Sequence, residues 1–190
     1  MLVGLGTGST VAYLLQALAE RSIPATYVST SPQTEARAIE LGLKVRPFDQ
    51  VARLDLAIDG ADEVAPDFWL IKGGGAAHTR EKLIAASSEA FIVIVDSTKI
   101  VSALRGPVPL ELLAFGLAST LERLGNVTLR DVPFSPDGGV IADYHGAIED
   151  PTTLAQWLAE TPGVIEHGLF PPSMVTSVVV AVNGQVTWMQ

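Results

Sequence analysis

The sequence predicts an α/β fold: an open, mostly parallel, Rossmann-like sheet carrying an inserted ferredoxin-like α+β domain. Three observations predict it. Strand-forming runs alternate with helical periodicities through the first half of the chain, and such alternation builds a parallel sheet. Five of these runs lead into short polar or glycine-rich segments: Gly4–Thr10, Ser29–Pro32, Asp59–Glu63, Lys72–Gly75 and Asp96–Lys99. After Pro107–Pro109 the order changes to strand, helix, strand, strand, helix, strand, which is that of a ferredoxin-like unit.

The elements follow in order. Leu2–Leu5 is apolar and runs into glycines. Val11, Leu14, Leu15 and Leu18 then recur at the spacing of one helix face. Ala25–Ser29 reads as a second strand. Ser31-Pro32 is an N-cap with proline at the first helical position, and Gly42 suits the end of that helix. Leu43–Arg46, Leu54–Ile58 and Phe68–Ile71 read as short strands, Thr79–Ala90 as a helix, and Phe91–Val95 as a strand buried on both faces. Beyond Pro107–Pro109 the strands are Leu110–Leu113, Asn126–Arg130, Val140–Tyr144 and Val164–Leu169, with helices over Leu117–Leu124 and Pro151–Leu158. Pro136-Asp137-Gly138-Gly139 marks the turn between the middle strands. Val175–Val182 and Gln185–Met189, joined by Asn183-Gly184, read as a closing hairpin. The expected domains are therefore residues 1–107 plus 172–190 and residues 108–171.

If the early runs are parallel strands of one sheet, all five polar segments lie along its ligand-binding edge. They bring hydroxyls, backbone N–H groups, Asp59, Asp62, Lys72 and Lys99 to that edge, with Glu81 just downstream. That set suits a phosphorylated sugar and proton-transfer chemistry.

Composition narrows the function classes. The absence of cysteine excludes disulfides, thiolate catalysis and Cys-based zinc sites. With 12 Lys and Arg against 21 Asp and Glu, a net charge of −9, the chain lacks the basic excess of a nucleic-acid surface. No apolar run reaches the length of a membrane span, and the start does not read as a signal peptide, so a cytoplasmic location is expected. Any phosphate site must be locally positive. Lys72, Arg80, Lys82 and Lys99 supply four basic residues close together, of which Arg80 and Lys82 read as solvating a helix surface.

The Gly4–Thr10 loop joins a strand to a helix and offers N–H groups to an anion. It departs from the dinucleotide fingerprint at Ser9, which stands where the third glycine belongs. Val28-Ser29-Thr30 ends the next strand without the acidic residue that the fingerprint needs. A nucleotide P-loop needs lysine after its last glycine, and Ser9 stands there. A small phosphate fits best, although glycine loops also serve as plain turns. Asp59-Gly60-Ala61-Asp62-Glu63 could bind a divalent metal or simply cap a turn. Three consecutive glycines after Lys72 carry a conformational cost, which points to close backbone approach. Glu81 is either a functional base or a carboxylate placed favourably against a helix dipole. His78, His145 and His167 have no metal-ligand spacing and read as structural or surface residues.

Together, Gly4–Val11, Asp59–Val64, Lys72–Lys82 and Val95–Lys99 closely resemble, in order and in register, ribose-5-phosphate isomerase of the A type. The resemblance implies a cofactor-independent isomerase, without a metal, that interconverts ribose 5-phosphate and ribulose 5-phosphate in the non-oxidative pentose phosphate pathway. It places substrate-binding loops at Thr7-Gly8-Ser9-Thr10, Asp59-Gly60-Ala61-Asp62 and Lys72-Gly73-Gly74-Gly75. It makes Lys99 a further substrate-binding residue and Glu81 the catalytic base. Chemistry completes the assignment: a fixed cation, Lys72, would stabilise charge on an enediol, and Asp59 would open the sugar ring. The partners expected are a small pentose phosphate and a second copy of the chain, as homodimer or homotetramer, with no nucleic acid and no membrane. The competing readings are an amino-sugar-phosphate deaminase on a related sheet and a non-catalytic sugar-phosphate sensor.

Overall fold

A computed structural model describes all 190 residues, Met1–Gln190. The first half of the chain forms β1 (Leu2–Leu5), α1 (Ser9–Arg21), β2 (Thr26–Ser29), α2 (Pro32–Glu40), β3 (Leu56–Asp59), β4 (Glu63–Val64), β5 (Leu70–Ile71), α3 (His78–Ala86) and β6 (Phe91–Asp96). The second half forms β7 (Val108–Leu112), α4 (Leu117–Leu124), β8 (Val127–Leu129), β9 (Val140–Tyr144), α5 (Pro151–Glu160), β10 (Val164–His167), β11 (Leu169–Phe170), β12 (Ser177–Val182) and β13 (Gln185–Met189). The chain divides into two compact units. One comprises Met1–Ala61, Arg80–Thr98 and Ser173–Gln190, and the other Asp62–Thr79 and Lys99–Pro172.

The first unit is built on a six-stranded sheet in the order β13-β12-β6-β3-β1-β2. Every pairing is parallel except that of β13, which returns antiparallel to β12. One face of α1 (Val11, Leu15, Leu18) packs with Val3, Leu5, Tyr27 and Ala38 to form its core. α2 starts as its sequence requires: Ser31 Oγ accepts from Thr34 N at 3.2 Å and Pro32 takes the first turn. Ile84 of α3 packs directly onto Gly4 of β1, in space that a Cβ on Gly4 would fill.

Three elements in or beside this sheet depart from expectation. Leu43–Arg46 makes only a single parallel bridge, Tyr27 to Val45. Pro47 follows, supplies no N–H, and the chain turns into a 3-10 segment at Phe48–Gln50. α3 stops at Ala86 rather than running to Ala90, because Ser87 and Glu89 bond the backbone of Leu54 and lead the chain into β6. Within β6, Phe91, Val93 and Val95 are buried while Ile92 and Ile94 are only half-buried, so the strand alternates.

The second unit holds two sheets. β7, α4, β8, β9, α5 and β10 form the βαββαβ unit, with the antiparallel sheet ordered β10-β7-β9-β8. Val108, Leu110 and Leu112 of β7 pack with Leu124, Leu154 and Leu158 of the two helices. A separate antiparallel sheet, β11-β5-β4, takes up Leu70–Ile71. The strand before Lys72 therefore belongs to this small sheet and not to the parallel one. The single strand expected over Val164–Leu169 is two, β10 and β11, broken at Gly168. There Gly168 N donates to Pro109 O and Lys72 N donates to Gly168 O. A Cβ on Gly168 would collide with the Lys72 carbonyl.

Candidate functional site

In the first unit the Gly6–Thr10 loop leaves β1 and enters α1. Gly6 N donates to Ile58 O at 3.0 Å, extending the ladder past the strand. A hydroxyl network holds the loop from below: Thr7 Oγ1 lies 2.7 Å from Thr30 Oγ1, and Thr34 Oγ1 donates to Gly6 O at 3.1 Å. Gly8 sits at φ +126, a conformation that L side chains rarely adopt, and caps α1 with no side-chain acceptor for the helix N–H groups. No acidic residue stands in the first turn. Ser9 is exposed and Thr10 half-buried, so this 13-residue helix presents free N–H groups and two hydroxyls to an incoming anion.

Asp59 ends β3 and is 3% exposed. Its Oδ1 accepts from Thr7 N at 3.2 Å and Gly60 N at 2.7 Å. A Cβ on Gly6 would fall inside this carboxylate, so glycine at 6 and aspartate at 59 occupy one volume. Glu81, in the first turn of α3, is 4% exposed. Lys82 does not solvate a surface: it is buried.

In the second unit, Lys72 is 2% exposed. Its Nζ stands 5.4 Å from the Phe170 ring centroid, within cation–π range. Gly73 follows at φ +107, and a Cβ there would approach His78 Nδ1 to 2.7 Å, so the turn into α3 requires glycine. Gly74 N donates to Asp62 Oδ2 at 2.7 Å, while Glu63 Oε2 accepts from Arg105 N at 2.7 Å. Asp62 and Glu63 thus each hold a backbone amide, and no group of three or more His, Asp or Glu is arranged to hold a metal ion. Lys99 closes a 3-10 turn, Ser97–Lys99, and is half-exposed.

Two residues outside the motifs hold these loops. Arg130 forks onto Asp143 and also donates to Gly73 O and Gly74 O. Glu111, 1% exposed on β7, accepts hydroxyl hydrogen bonds from Ser135 and from Thr79, two residues before Glu81 in α3. The signals existed but were faint. Arg130 and Asp143 are opposite charges near one another across a strand pair, and Glu111 is a lone carboxylate in the apolar run Val108–Leu113.

Comparison with known proteins gives a consistent family. The family model for ribose 5-phosphate isomerase A (phosphoriboisomerase A) matches residues 26–185. A ribose-5-phosphate isomerase A from Lacticaseibacillus paracasei is 43% identical, over 97% of this chain and 87% of the relative. One from Nitrobacter hamburgensis is 45% identical, over 90% of this chain and 82% of its own length. Among solved structures, ribose 5-phosphate isomerase A of Methanocaldococcus jannaschii superposes with a TM-score of 0.92 at 29% identity, covering 100% of this chain and 91% of that one. A D-ribose-5-phosphate isomerase in complex with phospho-erythronic acid superposes with a TM-score of 0.94 at 36% identity, covering 100% and 90%.

Proposed function

The chain belongs to the ribose 5-phosphate isomerase A family, and from that premise we propose that it interconverts ribose 5-phosphate and ribulose 5-phosphate with Glu81 as the base that moves the proton. It is an isomerase acting on a sugar phosphate, consistent with a place in the pentose phosphate pathway. The observation that carries the assignment of roles is burial. Asp59, Lys72 and Glu81 are each at most 4% exposed, and charged side chains are rarely withdrawn from water that far unless structure or chemistry uses them.

In this reading Asp59 shuttles the proton that opens the sugar ring. Glu81 then takes the proton from C2 and returns it to C1, and a carboxylate can do both if it stays on one face of the enediol. Negative charge on the substrate oxygens is met by the Lys72 ammonium. Thr7-Gly8-Ser9-Thr10 and Lys99 hold the phosphate, supported by the uncapped start of α1. Gly60, Ala61 and Asp62, with Gly73-Gly74-Gly75, shape the binding loops around the sugar hydroxyls. No step calls for a cofactor or metal. The enzyme is expected to work in the cytoplasm as a homodimer or homotetramer. Phospho-erythronic acid, found in a 36% identical relative, carries a phosphate and a planar anionic end, and should compete with substrate here.

Isomerisation in heavy water tests the proton route. A proton resting on Glu81 exchanges with solvent, so deuterium is expected at C1 of ribulose 5-phosphate. Glu81→Gln keeps the shape and removes the base, and turnover should drop by a factor on the order of 10² to 10⁴ while phospho-erythronic acid still binds. A product free of deuterium, with activity lost in chelator, would instead mean a metal-assisted hydride shift.

A further inference from the structure

We infer that Arg130, locked by Asp143, is a positioning residue that sets the conformation of the Gly73–Gly75 loop and so the affinity for substrate. The inference rests on the reading of that loop as substrate-binding.

The geometry is specific. Arg130 directly follows β8, and its N–H donates to Ile141 O at 2.9 Å, so its backbone is fixed on β9. Its Nε and Nη2 meet the two oxygens of Asp143 at 2.8 and 2.6 Å, a bidentate fork that fixes the guanidinium plane. Both side chains are 17% exposed, which strengthens the pair relative to a solvated one. The third nitrogen, Nη1, then donates to Gly73 O at 2.8 Å and Gly74 O at 3.2 Å.

Each carbonyl so held fixes a peptide plane, and a trans peptide sends the following N–H the opposite way. The Gly74 N–H meets Asp62, and the Gly75 N–H is directed away from the guanidinium. Three successive glycines have no side chains to settle these planes themselves. Arg130, Asp62 and Gly74 also border a cavity of about 230 Å³. On that side hydrogen bonds, rather than packed side chains, keep the loop in shape.

Three variants test it, with KM and kcat for ribose 5-phosphate measured separately and folding followed by near-UV circular dichroism. Arg130→Lys retains charge but cannot fork onto Asp143 and reach the loop together. Arg130→Met/Asp143→Leu removes the pair as a unit, without stranding a charge. Both should raise KM about tenfold or more through loss of loop geometry, with kcat changed far less. Gly74→Ala, whose Cβ would stand 2.7 Å from Asp62 Oδ1, should raise KM as well. An unchanged KM in Arg130→Lys or in the folded double variant, with Gly74→Ala impaired, overturns the role of Arg130 alone. An unchanged KM in Gly74→Ala overturns the reading of the loop, and the inference with it. If the double variant does not fold, Arg130→Lys decides.

Discussion

Tyr27 lies in β2 with 1% of its surface exposed and no hydrogen-bond partner for its hydroxyl. Burial pushes that phenol above its usual range. An unpaired buried hydroxyl costs its desolvation, so Tyr27→Phe should stabilise the protein by about 1 kcal/mol at neutral pH. The pH dependence has a definite sign. Because the folded form holds the proton more tightly than the unfolded form, the contribution is complete below the unfolded value near ~10 and is lost as pH rises through the folded value. Denaturant melts above that pH should therefore show wild type losing stability faster than Tyr27→Phe; parallel curves would contradict the burial argument. Legibility at this scale followed the type of signal. Asp59 and Lys72 stood out because charge beside glycine or an apolar run is unusual, whereas Glu81, with either reading open to it locally, was singled out by the family resemblance. Lys82 did not, since a lysine in a helix reads as solvated until its packing is known. Arg130 escaped notice because its partners Gly73 and Gly74 lie more than 50 positions away.

Glu111 shows how one side chain governs two elements. It joins the Ser135–Gly139 turn, through Ser135 Oγ, to the first turn of α3, through Thr79. Gly139 is packed against it so closely that no Cβ would fit. Glu111→Ala strands two hydroxyls and should lower stability by about 2–3 kcal/mol. Glu111→Gln preserves the shape and should cost less than half as much. Equal losses in thermal unfolding would show that packing, not hydrogen bonding, is at stake. The elements themselves were legible wherever local chemistry decided them: Ser31-Pro32 opened α2, and Gly8 stood at the start of α1. They were illegible where tertiary contact decided. Gly168 is a local mark of a bulge or close approach within Val164–Leu169, but nothing there says that the backbone coming close is the Lys72 carbonyl. Nothing in Phe68–Ile71 says that it will pair antiparallel with β4 and β11 rather than join the parallel sheet.

Across the whole molecule, the surface keeps several large apolar side chains in water. Phe115 is 87% exposed, Phe134 66%, Val186 61% and Trp188 56%. The homo-oligomer proposed above would withdraw some of these side chains from water. Light scattering should return at least twice the 20.0 kDa chain mass, and a clean monomer at working concentration would refute the homo-oligomer. The alternating order of strands and helices made the parallel sheet and the βαββαβ unit readable, because each is written in local periodicity. The order of strands across the sheet was not, since register is settled by which faces bury one another.

That strand order also bears on synthesis. β6 is flanked in the sheet by β3 and β12, yet β12 is separated from it by the whole βαββαβ unit. As the chain leaves the ribosome, β6 emerges with one edge open and keeps it so until the final hairpin is made. The nascent protein thus carries an unpaired, apolar strand edge while the 80 residues between β6 and β12 are made, a template for pairing with neighbouring nascent chains. Expression at lower temperature, or with a chaperone that shields strand edges, should therefore raise the yield of this chain more than any change to its finished surface.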